Sequence, residues 1–164
     1  MKKFLYFLST LILVLWVQLA SHYFIGSTGF SPNIIICAVL YFGLSRGPIS
    51  GELMGFFWGL LMDAGSLGLM GLHALLYSGA GFMAGVLRRQ LDEDKGWTQA
   101  IFTLGVTVLY VIFYFVLDRL FASGAHPMSW TMLGQPLVNA VAAPFVFGLM
   151  RAWTEAWSMV KREN

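Results

Sequence analysis

From Phe4 to Ile25, and again from Trp97 to Leu117, the chain carries no Asp, Glu, Lys or Arg. About 20 mostly apolar residues in a helix cross the roughly 30 Å hydrocarbon core of a bilayer, so runs of this length read as membrane spans. Lipid is then the solvent with which the rest of the chain must be compatible. The composition agrees: 58% of the 164 residues are apolar and 11% charged, against about a quarter charged in soluble domains.

Between these two runs the apolar pattern continues in shorter pieces. It predicts spans near residues 4–25, 30–45, 47–63, 67–87, 97–117 and 130–150, which fill residues 1–164 as a single polytopic membrane domain. Lys2 and Lys3 before the first run resemble the start of a signal peptide. No small-x-small cleavage site stands near Gln18-Leu19-Ala20, and the uncharged run exceeds a signal core, so a retained anchor is expected. Pro32 is read as a first-turn proline of the second span. Arg88 to Lys95 forms a polar loop between spans four and five, and Trp153 and Trp157 suit an interfacial helix end.

The second and third runs are short enough for a re-entrant hairpin. Basic residues decide the matter. Six spans put Lys2, Lys3, Arg46, Arg88, Arg89, Lys95, Arg151, Lys161 and Arg162 on one side and Arg119 alone on the other, nine of the ten basic residues against one. A hairpin instead drives Arg46 towards mid-membrane, at roughly 2.5–3.5 kcal/mol. The expectation is an all-α integral membrane protein with six transmembrane helices and both termini cytoplasmic.

The third run raises a separate question. Gly47, Gly51, Gly55 and Gly59 stand four apart, and Asp63 continues the series. Residues four apart on a helix lie nearly above one another, so the glycines form one groove. In lipid, close backbone approach drives helix association, and such a groove marks a contact. Either Gly81 and Gly85 of span four or the helix of a partner protein would fill it. Asp63 is expensive in hydrocarbon unless paired or wet. It is expected to pair or cap, and to act by structure more than by charge, so that Asp63→Asn is mild. Gln135, Asn139 and His73 are candidates for polar company, while Glu52 lies near the other surface.

Nothing in the pattern looks catalytic. No GxSxG serine or P-loop is present, and His22, His73 and His126 lack metal-ligand spacing. No metal or cofactor is expected. Cys37 stands alone, which excludes a disulfide framework. Asp92, Glu93 and Asp94 cluster without metal-ligand spacing, which argues against a lipid-modifying enzyme. The net charge of +2 gives no reason to expect nucleic acid.

Several motifs, taken in order, resemble the bacterial rod shape-determining protein MreD family. They are Ser31-Pro32-Asn33, Tyr41-x-Gly43-Leu44, Gly47-x-x-x-Gly51-x-x-x-Gly55, Gly59-Leu60-x-x-Asp63, and Gly68 to Ala74 around Gly71. The resemblance covers essentially the whole chain. It implies a non-enzymatic subunit of the cell-elongation complex in the bacterial inner membrane. Its implied partners are a single-span MreC-like protein, the actin-like MreB and the peptidoglycan synthase pair. The family is also similar in fold to the substrate-binding subunits of energy-coupling-factor transporters, which implies the alternative of a vitamin-binding subunit. Such a site needs convergent polar groups in an outer pocket, and the outer loops at 26–30 and 64–69 offer only serine, threonine and glycine.

Overall fold

A computed structural model describes residues 2–26, 31–66, 68–91, 95–121 and 130–162. Six helices account for nearly all of them: α1 Lys2–Ile25, α2 Ile34–Arg46, α3 Pro48–Gly65, α4 Leu72–Leu87, α5 Gly96–Phe121 and α6 Trp130–Arg162. Three are long and apolar enough to cross a membrane: Phe4–Ile25, Gly96–Phe121 and Trp130–Met159. The start expected near Phe30 and the acidic residues 92–94 lie outside the described residues, as does His126.

Helix directions alternate. Asn33 and Tyr77 meet at one end of α2 and α4, and Gly43 and Ala84 meet near the other, so these two helices run parallel. Against α4, α3 is antiparallel: Gly51 lies on Gly81, Gly55 on Tyr77 and Gly59 on Ala74. Tyr6 of α1 bonds Thr154 of α6, while Gln18 reaches Ile34. Thr107 of α5 bonds Asn139 of α6. The bundle therefore has an Asp63 end, with Asn33, Gly71 and Arg119, and a Gly47 end, with Arg46, Arg88, Arg89, Lys95 and Arg151.

Two devices make the α2–α3 reversal tight enough to need a single linking residue. Gly47 adopts φ +100°, which favours glycine, and Pro48 opens α3 with no N–H to lose. At the head of α2, Asn33 is the N-cap and accepts the Ile36 N–H at 3.1 Å. Pro32 therefore precedes the cap and is not in the first turn. Likewise α4 begins at Leu72 and not near residue 67, because the chain must first turn through Gly71 at φ +93°.

The core sits around α2, where every residue from Ile34 to Leu44 is buried. Its sequence, apolar on all sides, is compatible with that position. The other helices surround it and leave their outward aliphatic and aromatic side chains exposed, among them Trp16, Ile49, Leu75, Phe113 and Phe145. In lipid these need no further cover. At its far end α6 continues unbroken past Met150, because no Gly or Pro follows to stop it. Trp153 donates to Thr10 at 3.1 Å, and Trp157 meets Tyr6 edge-on, so this last stretch braces α1.

Candidate functional site

Gly51, Gly55 and Gly59 are buried and face α4 with no gap. A Cβ at Gly55 would lie 2.5 Å from the Tyr77 carbonyl carbon and 2.8 Å from the Ser78 nitrogen. At Gly51 it would meet the Gly81 carbonyl carbon at 2.8 Å, and at Gly59 the His73 carbonyl carbon at 2.6 Å. From the other side Gly81 sits on Gly51, and a Cβ at Gly85 would come within 2.5 Å of the Gly47 carbonyl carbon. Backbone faces backbone along the whole line, which leaves no room there for a partner's helix. Gly43, which belongs to another of the sequence motifs, joins the same contact from α2: its Cβ would be 2.5 Å from the Gly81 oxygen.

The ridge ends at Asp63, whose side chain is fully buried. One carboxylate oxygen accepts the N–H groups of Gly71 and Ala74, both at 3.0 Å. The other accepts the His73 N–H at 3.0 Å and lies 2.8 Å from His73 Nδ1. The first N–H groups of a helix have no partner within it, and the helix dipole favours negative charge there. Asp63 thus caps α4 from the end of α3, and locks the two helices at the register the glycines set. Gln135 and Asn139 are not its partners, and Glu52 lies exposed on the opposite part of α3.

Asn33 does comparable work for α2. Besides capping its own helix, it donates Nδ2 to the Tyr77 hydroxyl at 2.7 Å, and its backbone N–H reaches Asn139 Oδ1 at 2.7 Å. Asn139, buried completely, bonds Thr107 at 3.4 Å. Gln18 receives the Ile34 N–H at 2.7 Å and donates to the Pro32 carbonyl at 3.3 Å. One polar network at the Asp63 end ties α1, α2, α4, α5 and α6 together.

Beside this network opens a cavity of about 360 Å³. Gln18, Asn33, His73, Tyr77, Tyr110 and Gln135 are among its lining, and among the described residues no Asp, Glu, Lys or Arg takes part. Tyr77 stacks on Tyr110 at 5.4 Å, and Tyr110 on Tyr114 at 6.1 Å. The described lining of the cavity comes from α1, α3, α4, α5 and α6 and from Ser31 and Asn33 ahead of α2, while residues 27–30 and 67 of the outer loops lie outside the described residues. The signal was present as isolated polar or aromatic residues at turn spacing, Tyr110 and Tyr114 above all, and only the fold brings them together.

Among the described residues no three His, Cys, Asp or Glu side chains gather as a metal site. What the arrangement does is fix helix register and leave a polar cavity at one end.

A family model described as rod shape-determining protein MreD matches residues 1–153. No curated protein and no solved structure matches the chain.

Proposed function

Because the chain belongs to the rod shape-determining protein MreD family, we propose that it is a non-enzymatic scaffold subunit of the cell-elongation complex in the bacterial inner membrane. It crosses the membrane six times with both termini cytoplasmic, and it holds a single-span MreC-like protein near the actin-like MreB and the peptidoglycan synthase pair. The match over residues 1–153 carries this reading. Alternating helix directions and the gathering of basic residues at the Gly47 end support the topology. A bundle locked backbone to backbone supports a scaffold, since a scaffold must present its lipid-facing surface in one fixed shape. With α4 filling the glycine ridge, the partner's helix docks elsewhere on the bundle.

The test is purification in mild detergent after expression as the only copy in a rod-shaped host. A stoichiometric MreC-like single-span protein in the preparation, and round cells on depletion, are the expected results. Rod-shaped depleted cells would overturn the reading.

A second reading has one observation in its favour, the cavity at the Asp63 end. Its volume lies within the range of about 300–1,000 Å³ usual for small-molecule sites, and its polar groups converge. A vitamin-binding transporter subunit would use such a cavity. Release of a stoichiometric small molecule on denaturation, together with a co-purifying ATPase module, would replace the scaffold reading with this one.

A further inference from the structure

At the Gly47 end, Arg46, Arg88 and Arg89 line one surface pocket of about 300 Å³. Among the described residues no carboxylate lines this pocket or pairs with any of the three. Glu52, one turn along α3 from Pro48, lies outside it. Two of the guanidinium groups are held in place. Arg46 lies over the Tyr6 ring at 4.5 Å and the Phe42 ring at 5.4 Å. Arg88 packs on Gly47, where a Cβ would stand 2.9 Å from its Nη1.

α3 also begins in this pocket, with no side-chain cap and no acidic residue in its first turn, so its positive end adds to the field. The walls are mixed: Ile49 is 70% exposed and Val86 56% exposed beside the arginines. A free anion or an acidic peptide would leave these aliphatic groups wet. A phospholipid covers both kinds of surface, with its phosphate on the arginines and its first methylenes on Ile49 and Val86.

We infer that this pocket binds the phosphate of an anionic phospholipid in the cytoplasmic leaflet. The inference rests on the proposed topology, which places the Gly47 end at that leaflet.

The full chain is reconstituted in nanodiscs of phosphatidylcholine with a minority of phosphatidylglycerol. The lipids retained after transfer to mild detergent are then counted by native mass spectrometry. Phosphatidylglycerol is expected to be enriched over its share of the bilayer. Arg46→Gln, Arg88→Gln and Arg89→Gln should each lower its retention by about fivefold, the size expected for one basic residue beside an anionic surface. Arg88→Lys should lose less, because it keeps the charge while giving up the planar fork.

Arg151→Gln is the control, at the same end but outside the pocket. An equal loss there would mean diffuse surface charge and overturn the site. Absence of enrichment in the unaltered protein overturns it too. Displacement of the lipid by inorganic phosphate would make the ligand a free ion, and displacement by a poly-glutamate peptide would make it an acidic partner. Either result overturns the lipid assignment. Thermal unfolding of each variant confirms that it folds, and the lysine variant replaces any glutamine variant that does not. A reporter fused at Gly96 tests the topology separately, so failure of the site and failure of the topology give different results.

Discussion

Asp63 holds three backbone N–H groups and one imidazole nitrogen with two oxygens, and no simpler side chain repeats this. In Asp63→Asn, either orientation of the amide turns an NH2 group towards at least one backbone donor that needs an acceptor. Hydrogen bonds to a charged group contribute about 1.5–3 kcal/mol each, and stranded buried donors cost more than their bonds. The sequence argued for a mild effect because a span-end carboxylate there looked replaceable by shape. The structure reverses this. Asp63→Asn should lower stability by about 2–4 kcal/mol, read as a lower unfolding temperature in detergent and reduced accumulation. His73→Ala removes one of the four contacts and leaves the backbone cap, so its loss should be about 1–2 kcal/mol. Equal damage from the two would assign the role to the Asp63–His73 pair and take it from the cap. The position of Asp63 was legible from its spacing after the glycines. His73 was among the candidate partners and does pair with it, but the three backbone N–H groups were not legible, because they belong to a turn whose path no residue pattern encodes.

At the scale of the element, the α3–α4 contact is set by what the glycines lack. From the spacing alone, a single added methyl at such a ridge would be expected to be gentle and a leucine severe. With the Tyr77 and Ser78 backbone within 3 Å of a Cβ at Gly55, even one methyl group must move a helix. Added bulk in packed interiors costs about 1–3 kcal/mol where side chains can adjust, and backbone adjusts less. Gly55→Ala should therefore lower the unfolding temperature clearly, and Gly55→Leu should prevent a stable bundle altogether. Gly79, on α4 with nothing within 4 Å of its Cβ, is the contrast. Gly79→Ala should be neutral or stabilise by about 0.5–1 kcal/mol through helix propensity. Unfolding curves of Gly55→Ala and Gly79→Ala that superimpose would refute this packing. That α3 carries a contact face could be read directly from the period of four. That α2 is the core could not be. In lipid a central helix and a peripheral one are both apolar on every side, and only the absence of neighbours distinguishes them.

For the whole molecule, the expected arrangement follows from charge more than from hydropathy. Arg119 is alone among the basic residues at the Asp63 end, and the rest gather at the Gly47 end or lie at the termini. Reporter fusions after Gly26 and Ser66 should read the outer side, and a fusion at Gly96 the inner. An outer reading at Gly96 would end the six-span arrangement. The helices themselves are of unequal reach. At 1.5 Å per residue, α4 is about 24 Å long and α5 about 39 Å. Leu75, Phe82 and Val86 of α4 are exposed, so with six spans, as proposed, its short length is felt by the bilayer and not hidden as that of α2 is. A hydrophobic surface shorter than the hydrocarbon thickness draws the leaflets together beside it, while a longer one leans to fit. In the proposed six-span arrangement the protein has a thin flank and a thick flank, and imposes a thickness gradient on the lipid around it. Reconstituted in bilayers of graded acyl length, it should be most stable where the chains are short enough to relieve the α4 side, with stability falling as they lengthen. In a membrane of mixed thickness such a gradient acts as an address: neighbours whose own spans match the thin flank lose less mismatch by sitting there, so the bundle selects company on that side before any two side chains touch.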